Sequence, residues 1–88
     1  MKYYSENMQR HYHHDLMDIL NAMEPGVPVY THHFEFLKPR NYGFVGKDNR
    51  PHLRKCLWTL VELGLIQNIN LGNNIHKWKI TQDGILYR

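Results

Sequence analysis

Disulfide stabilisation is excluded at once, because the chain holds one cysteine, Cys56, and a single thiol cannot bridge within a molecule. No stretch approaches the ~20 apolar residues that a membrane-crossing helix needs, and no continuous apolar segment marks a secretion leader. Glycine-rich phosphate loops, a G-x-S-x-G elbow, an H-E-x-x-H pair and paired carboxylates in an apolar setting are all missing. The usual frames for phosphoryl transfer, acyl transfer and metal-assisted hydrolysis are therefore missing too. Neither an internal repeat nor a low-complexity tract divides the 88 residues, a length that suits one domain with one modest core. These gaps lead us to expect a cytoplasmic protein that is not an enzyme and carries no cofactor or metal. A chain this short also leaves little room for a substrate pocket or a small-molecule effector.

Acidic residues are scarce in the second half. Residues 1–37 carry two basic and five acidic side chains, whereas residues 38–88 carry nine basic and three acidic. The formal net charge of +3 thus hides a one-sided distribution. Such a field attracts polyanions and speeds their encounter with the protein.

The positive half centres on Asn49 to Ile66. Leu53, Leu57, Leu60 and Val61 recur at helical spacing, with Cys56 beside them, and predict one buried helix face. Asn49 suits an N-cap, Pro51 suits the first turn, and Gly64 suits the left-handed residue that ends a helix. Assigned to the outer face are Arg50, His52, Arg54, Lys55, Trp58 and Thr59. A helix with an apolar back and a cationic front fits a DNA major groove, where arginine can bind guanine bidentately.

After this helix, Gln67–Leu71 reads as an extended run, Gly72-Asn73-Asn74 as a turn tolerant of positive φ, and residues 75–81 as a second run. Alternation sets His76, Trp78 and Ile80 on one side and Lys77 and Lys79 on the other. Helix, Gly64-Leu65-Ile66 exit, hairpin and a Thr81-Gln82-Asp83-Gly84 step together resemble the winged helix-turn-helix superfamily over roughly residues 12 to 85. The resemblance implies a mainly α fold with a small β-hairpin: three helices and a C-terminal two-stranded wing. It further implies a double-stranded DNA partner, with helix 49–63 in the major groove and the 66–81 wing on the backbone or minor groove. The expected nucleic-acid contacts are Arg40, Lys47, Asn49, Arg50, His52, Arg54, Lys55, Thr59, Asn73, Lys77 and Lys79. A small transcriptional regulator of bacterial or phage type is the expected role. The alternatives are a winged-helix protein–protein interaction module, or sequence-independent DNA binding in replication or recombination.

In the N-terminal half, residues 1–11 are expected to be a flexible or helical extension, with Ser5 able to cap a helix from about Glu6. Tyr12, Leu16, Ile19, Leu20 and Met23 predict a helix to about Met23, with Asp15 and Asp18 pointing away from its apolar stripe. Glu24-Pro25-Gly26-Val27-Pro28 breaks it. Val29-Tyr30 suits a brief strand pairing with the wing, and Thr31 a cap for a helix over 32–38, which Pro39 ends. Residues 40–48 form a loop longer than a minimal helix-turn-helix allows, carrying Arg40, Tyr42 and Lys47. His11, His13, His14 and Asp15 cluster in sequence but lack the thiolates or spacing of a zinc site, and are read as polar surface. The apolar tail Gly84 to Arg88 is expected to form a strand or turn on the core, or to pack on a second subunit of a homodimer.

Overall fold

A computed structural model of the chain describes residues 3–35, 37 and 50–88. It is a mixed α/β domain in which the described residues form four helices and a three-stranded antiparallel sheet. Helix α1 spans Glu6–His11 and α2 spans His13–Asn21. Strand β1, Val29–Tyr30, leads straight into a 3-10 turn over Thr31–Phe34. Helix α3 covers Arg50–Glu62, followed by β2 (Ile66–Gly72), β3 (Ile75–Ile80) and α4 (Gln82–Tyr87).

Sequence spacing identified α3 and its exit correctly. Leu53, Cys56, Leu57 and Leu60 share one buried cluster with Leu16, Ile19 and Leu20 of α2, Met23 just beyond it, and Phe34. Each such side chain contributes roughly 1.5–3 kcal/mol when fully withdrawn from water. Gly64 takes φ +77°, its N–H donates to Val61 O at 2.9 Å, and the Leu65 N–H donates to Leu60 O at 3.0 Å. That pair of bonds satisfies two carbonyls the helix end would otherwise leave bare. Leu65 and Leu60, both buried, pack beneath the turn.

The hairpin follows from its turn residues. Asn73 and Asn74 both adopt positive φ, 52° and 62°, the geometry whose twist matches paired strands. Gly72, beside a register shift between Asn70 and Gly72, has φ +86° and donates its N–H to Asn70 Oδ1 at 2.8 Å. Strand order is β1-β3-β2, with Val29 opposite Trp78 and Tyr30 opposite Lys77. The pleat turns Trp78 and Ile80 into the core. Trp78 gives its indole N–H to Thr31 Oγ1 at 2.8 Å, so a buried ring has its one polar group satisfied.

Four expectations need correcting. The domain is mixed α/β and not mainly α, with four helices among the described residues against the expected three, and the hairpin belongs to a three-stranded sheet because Val29–Tyr30 pairs with it as its sequence suggested. The predicted helix to Met23 is two helices, because Tyr12 leaves helical geometry at φ −102°, ψ 21°. Thr31 opens a 3-10 turn whose hydroxyl serves Trp78 instead of capping a helix over 32–38. The tail is helical: Thr81 Oγ1 accepts the Gly84 N–H at 3.1 Å and donates to Gly64 O at 2.7 Å. Gly84 is required there, since a Cβ would collide with the Leu65 backbone carbonyl. Arg88 Nη1 then donates to Leu20 O at 2.8 Å and Met23 O at 2.5 Å, closing the end of α2.

Candidate nucleic-acid interface

Helix α3 presents two different polar faces. On the first, Arg50 and Arg54 are exposed one turn apart, with the half-buried Trp58 a further turn along. These three line a cleft of about 540 Å³, together with Asn74 and His76 of the hairpin. Tyr30 and His32 close it from β1 and the 3-10 turn, their rings stacked at 5.5 Å between centroids and 13° apart in plane. Trp58 meets Trp78 edge-on at 5.2 Å and His76 at 5.8 Å. The Asn68 amide nitrogen lies 3.0 Å from His76 Nδ1. Donation by that amide would leave the neutral ring's proton on Nε2.

On the second face, two residues expected at the interface are inside the protein. His52 is 3% exposed and Thr59 is fully buried. The reason is an N-terminal segment that docks on α3. Thr59 Oγ1 donates to Lys55 O at 2.6 Å and accepts the Tyr4 N–H at 2.7 Å, so its hydroxyl is fully used. His52 Nε2 lies 2.9 Å from Asp15 Oδ2, and its Nδ1 lies 2.7 Å from the Tyr4 hydroxyl. Burial lowers the His52 pKa, against the opposing pull of the Asp15 hydrogen bond and charge. A neutral ring with its proton on Nε2 satisfies both contacts: it donates to the carboxylate and accepts from the tyrosine.

Asp15 is thus also corrected, since it is buried with His52 and not turned to solvent with the nearby histidines. Tyr12 packs edge-on over His52 at 4.4 Å. Cys56 Sγ sits 3.5 Å from His52 Nε2, yet burial first and the Asp15 charge second push its thiol pKa up. It stays protonated and makes a poor nucleophile. The Tyr4–His52–Asp15 chain went unnoticed in the sequence, although both His52 and Asp15 fall at positions of their helices' buried stripes.

The remaining cations are spread further. Lys55 is exposed and lies over the Tyr4 ring at 5.5 Å from its centroid, on the side of the docked segment. Asn73 is exposed at the hairpin tip. Lys77 and Lys79 are half-buried and alternate with Trp78, so they occupy the opposite face of the sheet from the core. Lys77 Nζ sits 4.7 Å above the Tyr30 ring. The helix arginines and the hairpin lysines therefore do not line the same cleft; the hairpin meets Arg50 and Arg54 through Asn74 and His76. Arg40, Lys47, Asn49 and the loop 40–48 lie outside the described residues.

Scans against protein-family models, characterised proteins and solved structures return no match to this chain. No helix among the described residues is long and apolar enough to cross a membrane.

Proposed function

We propose that this chain is a winged-helix DNA-binding protein acting as a small transcriptional regulator. The observation that carries the reading is the exposed pair Arg50 and Arg54, one turn apart at the start of α3, sharing a cleft with the β2–β3 hairpin. Their helix has its other faces fixed by the core and by the docked N-terminal segment, so the arginines are held on a rigid support. A third strand pairing with the hairpin, in the order β1-β3-β2, agrees with the winged-helix resemblance. So does the concentration of positive charge after residue 37. In this reading α3 enters the major groove through its first two turns, Lys55 and Asn73 reach flanking phosphates, and the buried His52 and Thr59 take no part.

Regulation would come from occupancy of an operator. A homodimer, for which exposed Leu86 and Tyr87 of α4 offer an apolar surface, would favour half-sites about 34–36 Å apart. The test is selection of bound duplexes from a random pool, followed by fluorescence anisotropy across a salt series. Arg54→Ala should weaken duplex binding by about tenfold or more and relax preference at a particular base. Binding without any enriched motif would point to sequence-independent function. No binding of duplex DNA at low salt sinks the proposal. The exposed Leu86 and Tyr87 also favour a second reading, a protein-interaction module, which that last outcome would promote.

A further inference from the structure

We infer that the cleft between α3 and the hairpin is a binding site for a single unpaired nucleoside 5′-monophosphate unit, either free or at the end of a strand. Its volume of about 540 Å³ falls inside the roughly 300–1,000 Å³ typical of small-molecule sites and far exceeds what a bare phosphate would fill. One wall carries two guanidinium groups, Arg50 and Arg54, whose planar donors suit phosphate oxygens. The cleft also carries flat aromatic surface: Tyr30 and His32 are stacked nearly parallel, and with Lys77 over the Tyr30 ring a base can extend that stack on the exposed His32. The same lining includes groups that suit a base edge. Glu35 lines the cleft as an acceptor for an amino or ring N–H, and Asn74 can both donate and accept.

The combination is selective. A carboxylate metabolite would satisfy the arginines but leave the aromatic platform empty. A neutral aromatic would use the platform and bring nothing for the guanidinium donors to bind. A base inside a duplex has both faces stacked already, so the unit that fits must be unpaired. The site shares Arg50 and Arg54 with the proposed duplex interface but does not require that interface. A nucleotide held there would compete with duplex DNA, which would make it an effector if the regulator reading is correct.

The full chain is titrated with guanosine and adenosine 5′-monophosphates, guanosine, inorganic phosphate and a 5′-phosphorylated single-stranded trinucleotide, by calorimetry and by tryptophan emission. Trp58 lines the cleft, so saturable emission change is expected with the nucleotides. Either nucleotide should bind at least about tenfold more tightly than inorganic phosphate or the nucleoside, since each of those lacks one half of the contacts. Arg54→Gln should weaken nucleotide and phosphate alike. Tyr30→Ala, at a 41% exposed position, should weaken the nucleotide and leave phosphate unchanged, with circular dichroism confirming that both variants fold. Tighter binding of the trinucleotide than of the mononucleotide would identify a strand end as the source, and the reverse a free ligand. The proposal is overturned if nucleotides bind no better than phosphate, or if Tyr30→Ala leaves their affinity intact. Duplex affinity is measured separately by anisotropy, so loss of one activity does not decide the other.

Discussion

The two polar faces of α3 start from similar residue types and end in opposite environments. Toward the N-terminal segment, His52 and Thr59 are sealed from water, and every polar atom described there has a partner. Toward the hairpin, Arg50 and Arg54 remain exposed beside an open cleft. The difference lies in what each side chain needs. An imidazole offers two hydrogen-bonding nitrogens and a hydroxyl little more, so Asp15, Tyr4 and a helix carbonyl can satisfy them completely. A guanidinium has five donors and a permanent charge, and one carboxylate at the surface cannot replace its water.

That contrast predicts very unequal costs of substitution. His52→Ala removes a hydrogen-bond partner from both the buried Asp15 carboxylate and the Tyr4 hydroxyl. It should cost about 3 kcal/mol, because a buried carboxylate loses a hydrogen-bond donor. Arg54→Ala should stay within about 0.5 kcal/mol. Urea denaturation of the two variants measures both, and equal losses would break the comparison.

Acid should act on the same buried face. The folded His52 has a pKa below its ordinary 6.5, so the unfolded chain takes up a proton that the folded chain resists. Stability is then fully retained above pH 6.5 and declines as pH falls below it toward the folded value. Comparing denaturation midpoints at neutral and mildly acidic pH tests this, and His52→Gln should flatten that part of the slope. A profile that steepens in the variant would contradict the neutral assignment of the ring.

The smallest expected effect sharpens the exposed side. Lys77 and Lys79 lie on the far face of the sheet, so replacing both by alanine should change duplex affinity by about threefold or less at physiological salt, through screened field effects alone. Lys77→Ala should also lose a contact with Tyr30 worth roughly 0.5–1 kcal/mol. A drop in affinity as large as that of Arg54→Ala would show that the duplex reaches both faces of the hairpin.

Much of the architecture was legible because it rests on local signals. The leucine spacing of α3, the Gly64 exit and the paired asparagines of the turn each determine backbone geometry within a few residues. The polar site residues were harder, because their chemistry suits solvent while their positions suit the core. His52, Cys56 and Thr59 follow one another at steps of four and three beside Leu53, Leu57 and Leu60, and Asp15 stands next to Leu16 and four before Ile19. Helical spacing sets them all beside the buried stripe, although His52, Thr59 and Asp15 read from their chemistry as outward-facing. Nothing local revealed their partners: Tyr4 and Thr59 meet across 55 positions and Asp15 and His52 across 37. The break at Tyr12 has the same origin, since that ring turns onto His52. The tail deceived differently, because its helix depends on a glycine that fits under the Leu65 carbonyl.

Arg88 stands 68 positions beyond Leu20 and 65 beyond Met23, yet its guanidinium supplies donors to both of their carbonyls. A helix cannot complete its own final turn, so α2 borrows its last fastening from the distal part of the polypeptide. Because α2 also carries Asp15, trimming or masking that one arginine would be felt through the borrowed fastening at the tyrosine–imidazole–carboxylate seam. The finish of the domain would thereby govern how firmly its beginning stays docked.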